Sequence, residues 1–243
     1  MKLSGFEKLI GYTFKDAALL ERALTHRSWA HENLAGRTED EIRAAENESF
    51  EFLGDSVLGL AVAEQLFRKY PDASEGDLTL MKHRLVSMAT LANVAEALKI
   101  GEHIRIGRGE EKTGGRQKKA ILADALEAVI AAVFFDGGYI AARAFVARIF
   151  ADEYKVATPE ASADYKTMLQ EKLQAEQLSG PVYSLLRTEG QPHDRTFYVE
   201  ASWNSGRAEG RGTSIKSAEM MAASEALKFL QQPQKSETAK RER

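Results

Sequence analysis

At 243 residues, with 44% hydrophobic and 28% charged positions, the chain can build one large core or two smaller ones and has the make-up of an ordinary globular protein. It has no cysteine, which excludes disulfides and thiolate-ligated metals. The formal net charge of −3 excludes a global basic field, so any nucleic-acid site must be a local patch. The opening Met1 to Glu7 has no apolar run of signal-peptide length, and a cytoplasmic protein without membrane attachment is the expectation.

The first half reads as all-α. Leu78, Met81, Leu85 and Met88, then Leu91, Val94, Ala95 and Leu98, recur at helical spacing. The most informative stretch is Asn47 to Leu58. Glu48, Glu51 and Asp55 follow one another at intervals of three and four and so share a helix face. Phe50, Leu53, Val57 and Leu60 form an adjoining apolar stripe, and Phe52, Leu58, Gly59 and Val62 continue the acidic side. A helix apolar nearly all round is expected to be largely buried, and buried carboxylates are costly unless paired or bound to metal.

A second run, Ala120 to Phe135, is interrupted only by Asp124 and Glu127, again three apart and on one face. Two such helices side by side would bring four or five carboxylates to one point, a set of hard oxygen donors suited to Mg²⁺ or Mn²⁺. For either helix alone, pairing with a distant Arg or Lys explains the acids equally well. Both together favour the metal, because neither run contains a basic residue.

Further along, Lys155 to Ser162 is polar, contains one proline and reads as a linker between domains at 1–154 and 163–231. Asp164 to Gln177 is predicted helical. Alternating runs at Val182–Arg187, Thr196–Trp203 and Ala208–Gly212 are predicted strands, and Ser214 to Leu230 a last helix capped by Ser214. The order α-β-β-β-α makes this a small α+β domain. The polar end, 232–243, is expected to be disordered.

The stretch Glu48-Ser49-Phe50-Glu51-Phe52-Leu53-Gly54-Asp55-Ser56 resembles the signature of bacterial ribonuclease III. Ile121 to Ala128 resembles that family's second acidic motif, and Gly107 to Arg116 its preceding glycine-rich stretch. The resemblance runs from about Leu9 to Leu230. It implies a homodimer that hydrolyses double-stranded RNA with Mg²⁺-activated water (Mn²⁺ as a substitute), leaving 5′-phosphate and 3′-hydroxyl ends, in the processing of rRNA precursors and other RNAs. It implies that Glu51, Asp124 and Glu127 ligate the metal. Asp55, Glu127 and Glu48 would be catalytic, Asp55 completing the acidic centre and Glu48 lining the RNA-facing valley. Phe52 would pack into the partner subunit, although taken alone it reads more readily as ordinary core. No nucleotide cofactor is implied. Ser49-Phe50 stand where the family usually has Arg-Leu. Of the other candidates, His26 reads as a capping or packing residue and Glu64 as solvated helix surface, while Glu110 and Glu111 belong to the glycine-rich stretch, with contact to the metal through water as the lesser alternative.

Residues Asp164 to Leu230 resemble a double-stranded-RNA-binding domain, in stretches such as Pro181-Val182-Tyr183 and Gly210 to Ser214. The resemblance implies that Gln170, Gln174, His193, Arg211 and Lys216 face RNA. Gln170 and Gln174 would meet 2′-hydroxyls and His193 the next minor groove. Lys216 would lie at a helix N-terminus that already favours phosphate. Ile215 occupies a usual lysine position, and the domain holds eight Lys/Arg against nine Asp/Glu, with Arg195 and Arg207 available to compensate. The alternative to an enzyme is a dimeric double-stranded-RNA-binding regulator that does not cut. The full acid set favours the enzyme.

Overall fold

The computed structural model describes residues 3–158, 165–191 and 195–231. They fall into two compact units, divided between Ala163 and Asp164.

The first unit is helical, and its boundaries follow local capping chemistry. Helices α1 (Leu3–Ile10), α2 (Ala17–Ala23), α3 (Arg27–Asn33) and α4 (Glu39–Ala45) lead into α5 (Glu48–Lys69). Then come α6 (Glu75–Leu85), α7 (Met88–Ala97), α8 (Ile100–His103), α9 (Arg108–Lys112), α10 (Lys119–Ile149) and α11 (Ala151–Val156). Asp16, Thr38, Ser74 and Ser87 each accept a backbone N–H of the following helix, satisfying donors that a helix start leaves without partners. The stripe read through residues 78–98 is therefore two helices, with Ser87 opening the second. Strand pairing among the described residues of this unit is limited to one bridge, Thr25 with Arg105. The all-α expectation holds.

The central element is the crossing of α5 and α10. From Ile121 to Val133, α10 is buried at every position except Asp124 and Glu127, as its apolar run predicts. Gly54 of α5 makes the close crossing possible: a Cβ there would lie 1.9 Å from the backbone oxygen of Glu127. Farther along, α10 breaks at Gly138 (φ 73°, ψ −179°), a conformation open to glycine.

The expectation of an α5 buried nearly all round is corrected. Phe50, Val57, Leu58 and Val62 are buried, but Phe52, Leu60 and Phe67 are 77%, 56% and 68% exposed. Apolar character favours burial but does not guarantee it within a single chain.

The second unit consists of α12 (Tyr165–Ala175), strands β1 (Val182–Glu189), β2 (Thr196–Trp203) and β3 (Gly206–Gly212), and α13 (Ile215–Gln231). The sheet is antiparallel in the order β1-β2-β3. Leu169 and Leu173 of α12, Ala201 and Trp203 of β2, and Ala222, Ala223, Ala226 and Leu227 of α13 form its core. This is the predicted α-β-β-β-α order. Of the stretch read as a linker, Lys155 and Val156 close α11 and Ala157 is buried, while 159–162 lie outside the described residues. The tail 232–243 does too. Among the described residues no helix is long and apolar enough to cross a membrane.

Candidate metal centre

Glu51 projects from the first turn of α5, and Asp124 and Glu127, one turn apart, from α10. Each offers a carboxylate oxygen such that all three atoms lie within 4.8 Å of one another. Among the described residues no Lys or Arg forms an ion pair with any of them. Their electrostatics show the strain of this arrangement. Burial, then the charges of Asp55, Glu51 and Asp124, pushes Glu127 up to about 8. Burial also raises Glu51, helped first by the charge of Asp124, and it raises Asp124, helped by Glu48. Three partly desolvated oxygen donors without a counter-charge are a set that a divalent cation would neutralise.

The expected cluster of four or five acids is thus three, with two at its margin. Asp55 is exposed, one turn beyond Glu51, and enters through its charge on Glu127. Glu48 is also exposed and takes a salt bridge from Arg27 at 3.0 Å. A basic partner for one acid therefore does come from elsewhere, from α3.

Sequence reasoning missed the groups behind Glu48 and Glu51. Glu46 is 3% exposed, and its carboxylate accepts the Glu48 N–H at 2.7 Å. The buried Asn47 donates to the Ala23 carbonyl at 3.3 Å, and its own carbonyl accepts the N–H groups of Phe50 and Glu51. An acid and an amide just ahead of an apolar helix are the available signal, since both residue types bond helix-start amides. Arg22 of α2 gave no such signal. It donates to the carbonyls of Glu46 (3.1 Å) and Arg43 (3.2 Å) and to the Ser49 hydroxyl (2.7 Å), and its guanidinium lies 4.5 Å from the Phe50 ring centre.

Other expectations resolve plainly. The His26 ring caps α3, accepting the Ser28 N–H at 3.2 Å. Glu110 and Glu111 sit on the short α9 and form ion pairs with Lys118 and Arg116. Glu64 is not solvated surface: Tyr139 and Arg143, just past the break in α10, reach it at 2.7 Å each, and Arg68 joins them at 2.8 Å. The hydrogen bonds from Tyr139 and Arg143 hold its carboxyl down to about 2. A depressed carboxylate contributes stability above its unfolded value of 4.5 and loses it as pH falls through the folded one. Glu64→Gln should therefore lower Tm at pH 6 and flatten the fall of Tm between pH 4.5 and 2, as followed by circular dichroism.

In the second unit Gln170 and Gln174 are exposed one turn apart on α12, Arg211 is exposed near the end of β3, and Lys216 is exposed in the first turn of α13. Ser214 caps that turn, accepting the Ser217 N–H at 3.1 Å. Ile215 is 44% exposed. His193 lies outside the described residues.

Comparison with known proteins places these features in context. Residues 16–153 match the family described as Ribonuclease-III-like, and residues 165–230 the double-stranded RNA binding motif. Ribonuclease 3 of Nitratidesulfovibrio vulgaris is 45% identical over 226 residues, covering 92% of this chain and 87% of the relative. Ribonuclease 3 of Syntrophotalea carbinolica is 42% identical over 228 residues, covering 93% and 96%. Among solved structures, the nuclease domain of ribonuclease III from Campylobacter jejuni is 37% identical with a TM-score of 0.56, covering 63% of this chain and 97% of that one. A second structure of that domain, described for flexibility in a region involved in dimer formation, is 35% identical with a TM-score of 0.56, covering 64% and 100%.

Proposed function

We propose that this chain, which belongs to the ribonuclease III family, is an endoribonuclease that hydrolyses phosphodiester bonds of double-stranded RNA. Its products carry 5′-phosphate and 3′-hydroxyl ends, and its substrates include rRNA precursors and other RNAs awaiting processing. The observation that carries this reading is the meeting of Glu51, Asp124 and Glu127 within 4.8 Å, with no ion pair to a Lys or Arg among the described residues. Glu51, Asp124 and Glu127 would hold Mg²⁺, with Mn²⁺ as a substitute. When bound, the ion would polarise the scissile phosphate and make water a nucleophile near neutral pH. Asp55 completes the negative centre, and Glu48, steadied by Arg27, lines the side of the site that RNA approaches. The test is a long perfect RNA duplex and a single strand of equal length, each incubated with and without Mg²⁺. Mg²⁺-dependent cutting of the duplex alone, with 5′-phosphates on the fragments, is the expected result. A duplex bound but left intact would establish the regulator instead.

The protein acts as a homodimer joined through the outer side of α5. Phe52, Leu60 and Phe67 follow at intervals of eight and seven, which sets them along one side of the helix, and all are exposed in the single chain. A region involved in dimer formation is described for the Campylobacter jejuni nuclease domain, which supports the same reading. Phe52→Asp should weaken association by about a hundredfold or more, as loss of a buried aromatic anchor does. Sedimentation at micromolar concentration would then find monomer. A wild-type protein that is monomeric and active would contradict the dimer.

The second unit grips the duplex through Gln170, Gln174, His193, Arg211 and Lys216, reading shape and 2′-hydroxyls. Its grip is weakened by Ile215. Ile215→Lys should tighten binding of an uncut duplex and steepen its salt dependence by a little under one unit, roughly 0.9 for DNA, with single-turnover cleavage at saturation unchanged. Parallel salt slopes and equal affinities for both proteins would show that position 215 does not face phosphate.

A further inference from the structure

We propose that Arg22 is a positioning residue for the metal centre, acting from α2 on the start of α5. This deepens the metal-dependent reading given above and rests on it. Arg22 divides its donors between the two sides of the α4–α5 junction. One N–H goes to the Glu46 carbonyl, and the far nitrogen is shared by the Arg43 carbonyl and the Ser49 hydroxyl. The first two acceptors are carbonyls at the end of α4, which that helix leaves without internal partners. The third stands in the first turn of α5.

The guanidinium face adds a second hold. It lies 4.5 Å from the Phe50 ring centre, and Phe50, 5% exposed, packs at 5.1 Å on Phe135 of α10. A planar guanidinium can lie flat on a ring while its in-plane N–H groups donate in a fixed fork, a geometry that a lysine ammonium does not have. Ser49 and Phe50, the two positions where the signature departs from the family's usual Arg-Leu, are thus both contacts of Arg22.

From there the path to the acids is short. Glu46, fixed at its carbonyl by Arg22, accepts the Glu48 N–H with its carboxylate at 2.7 Å. Asn47, the next residue, is tied to Ala23 of α2 and receives the N–H of Glu51. Phe50 adjoins Glu51 and touches α10, which carries Asp124 and Glu127. Arg22 touches none of the three acids that would hold the metal. It sets the rotation and entry of the turn that presents Glu51 to the other two.

The test compares wild type with Arg22→Ala, Arg22→Lys and Ser49→Ala in the full chain without RNA. Mn²⁺ binding is measured by titration, Tm in the absence of metal, and the Mg²⁺ concentration giving half-maximal duplex cleavage alongside. Arg22→Ala should weaken Mn²⁺ by about threefold to tenfold, short of the ten- to hundredfold typical of groups that bond a ligand directly. The Mg²⁺ requirement should rise by the same factor, with cleavage at saturating Mg²⁺ nearly kept. Arg22→Lys should behave like the alanine variant, because the fork and the stacked plane are both lost. Ser49→Ala removes one contact and keeps the fold, so it should show a smaller shift in the same direction even if Arg22→Ala does not fold. A fall in Tm with unchanged Mn²⁺ affinity and Mg²⁺ requirement in the folded variants would reduce Arg22 to a structural tie and overturn the proposal. Failure of the wild type to bind Mn²⁺ through its acids would overturn the metal centre itself.

Discussion

Glu127→Gln should abolish Mg²⁺-dependent cleavage while leaving duplex affinity nearly intact, and it should stabilise the metal-free protein at alkaline pH. The first effect follows from ligation. A bound cation supplies several kcal/mol of charge stabilisation in phosphate chemistry, so losing its hold costs about three orders of magnitude in rate. The second effect follows from linkage. The folded protein holds Glu127 at about 8 against an unfolded value of 4.5, so it binds the proton more tightly than the unfolded chain does. That stability is complete below pH 4.5 and is lost as pH rises through 8. The replacing amide carries no titrating proton, so in EDTA the variant should melt above wild type at pH 8.5, with little advantage at pH 4.5. Added Mg²⁺ should raise the wild-type Tm and leave the variant nearly unmoved. Normal cleavage by the variant, or a lower Tm at pH 8.5, would remove Glu127 from the site.

Gly54→Ala should unfold or open the same centre from the opposite helix. Its new Cβ would sit 1.9 Å from the Glu127 oxygen and 2.4 Å from its carbonyl carbon, backbone atoms that cannot swing aside. Alanine gains up to about 1 kcal/mol of helix propensity over glycine, but overpacking costs of about 1–3 kcal/mol are usual, and here α5 and α10 must separate. A Tm lowered by several degrees is expected, about 2–4 °C per kcal/mol at this size, together with a raised Mg²⁺ requirement. Gly59→Ala, on the same helix, meets only the Lys82 side chain at 3.6 Å and should hold or raise Tm. Equal behaviour of the two substitutions would mean that the close crossing does not matter.

The two acidic motifs were legible because helical spacing turns sequence distance directly into shared faces, as for Asp124 and Glu127. The strands of the second unit were legible from their alternation and punctuation to within about two residues. What could not be read was partnership across the chain. Glu64 accepts a hydrogen bond from Tyr139 and pairs with Arg143, 75 and 79 residues away, and no local pattern announces those partners. Arg22 acts on α5 from an adjacent helix in the same way. The exposure of Phe52, Leu60 and Phe67 escaped a reading that equated apolar with covered. Hydrophobic patterning records which side chains favour burial and not which of them the chain itself buries.

The proposed activity requires Glu51, Asp124 and Glu127 to hold one divalent ion, and anomalous scattering from a crystal of the protein grown with Mn²⁺ tests that most directly. A Mn²⁺ peak in bonding contact with carboxylate oxygens of all three residues is the predicted result. Mn²⁺ bound elsewhere, with none between these carboxylates in a protein that still cleaves duplex RNA, would contradict it.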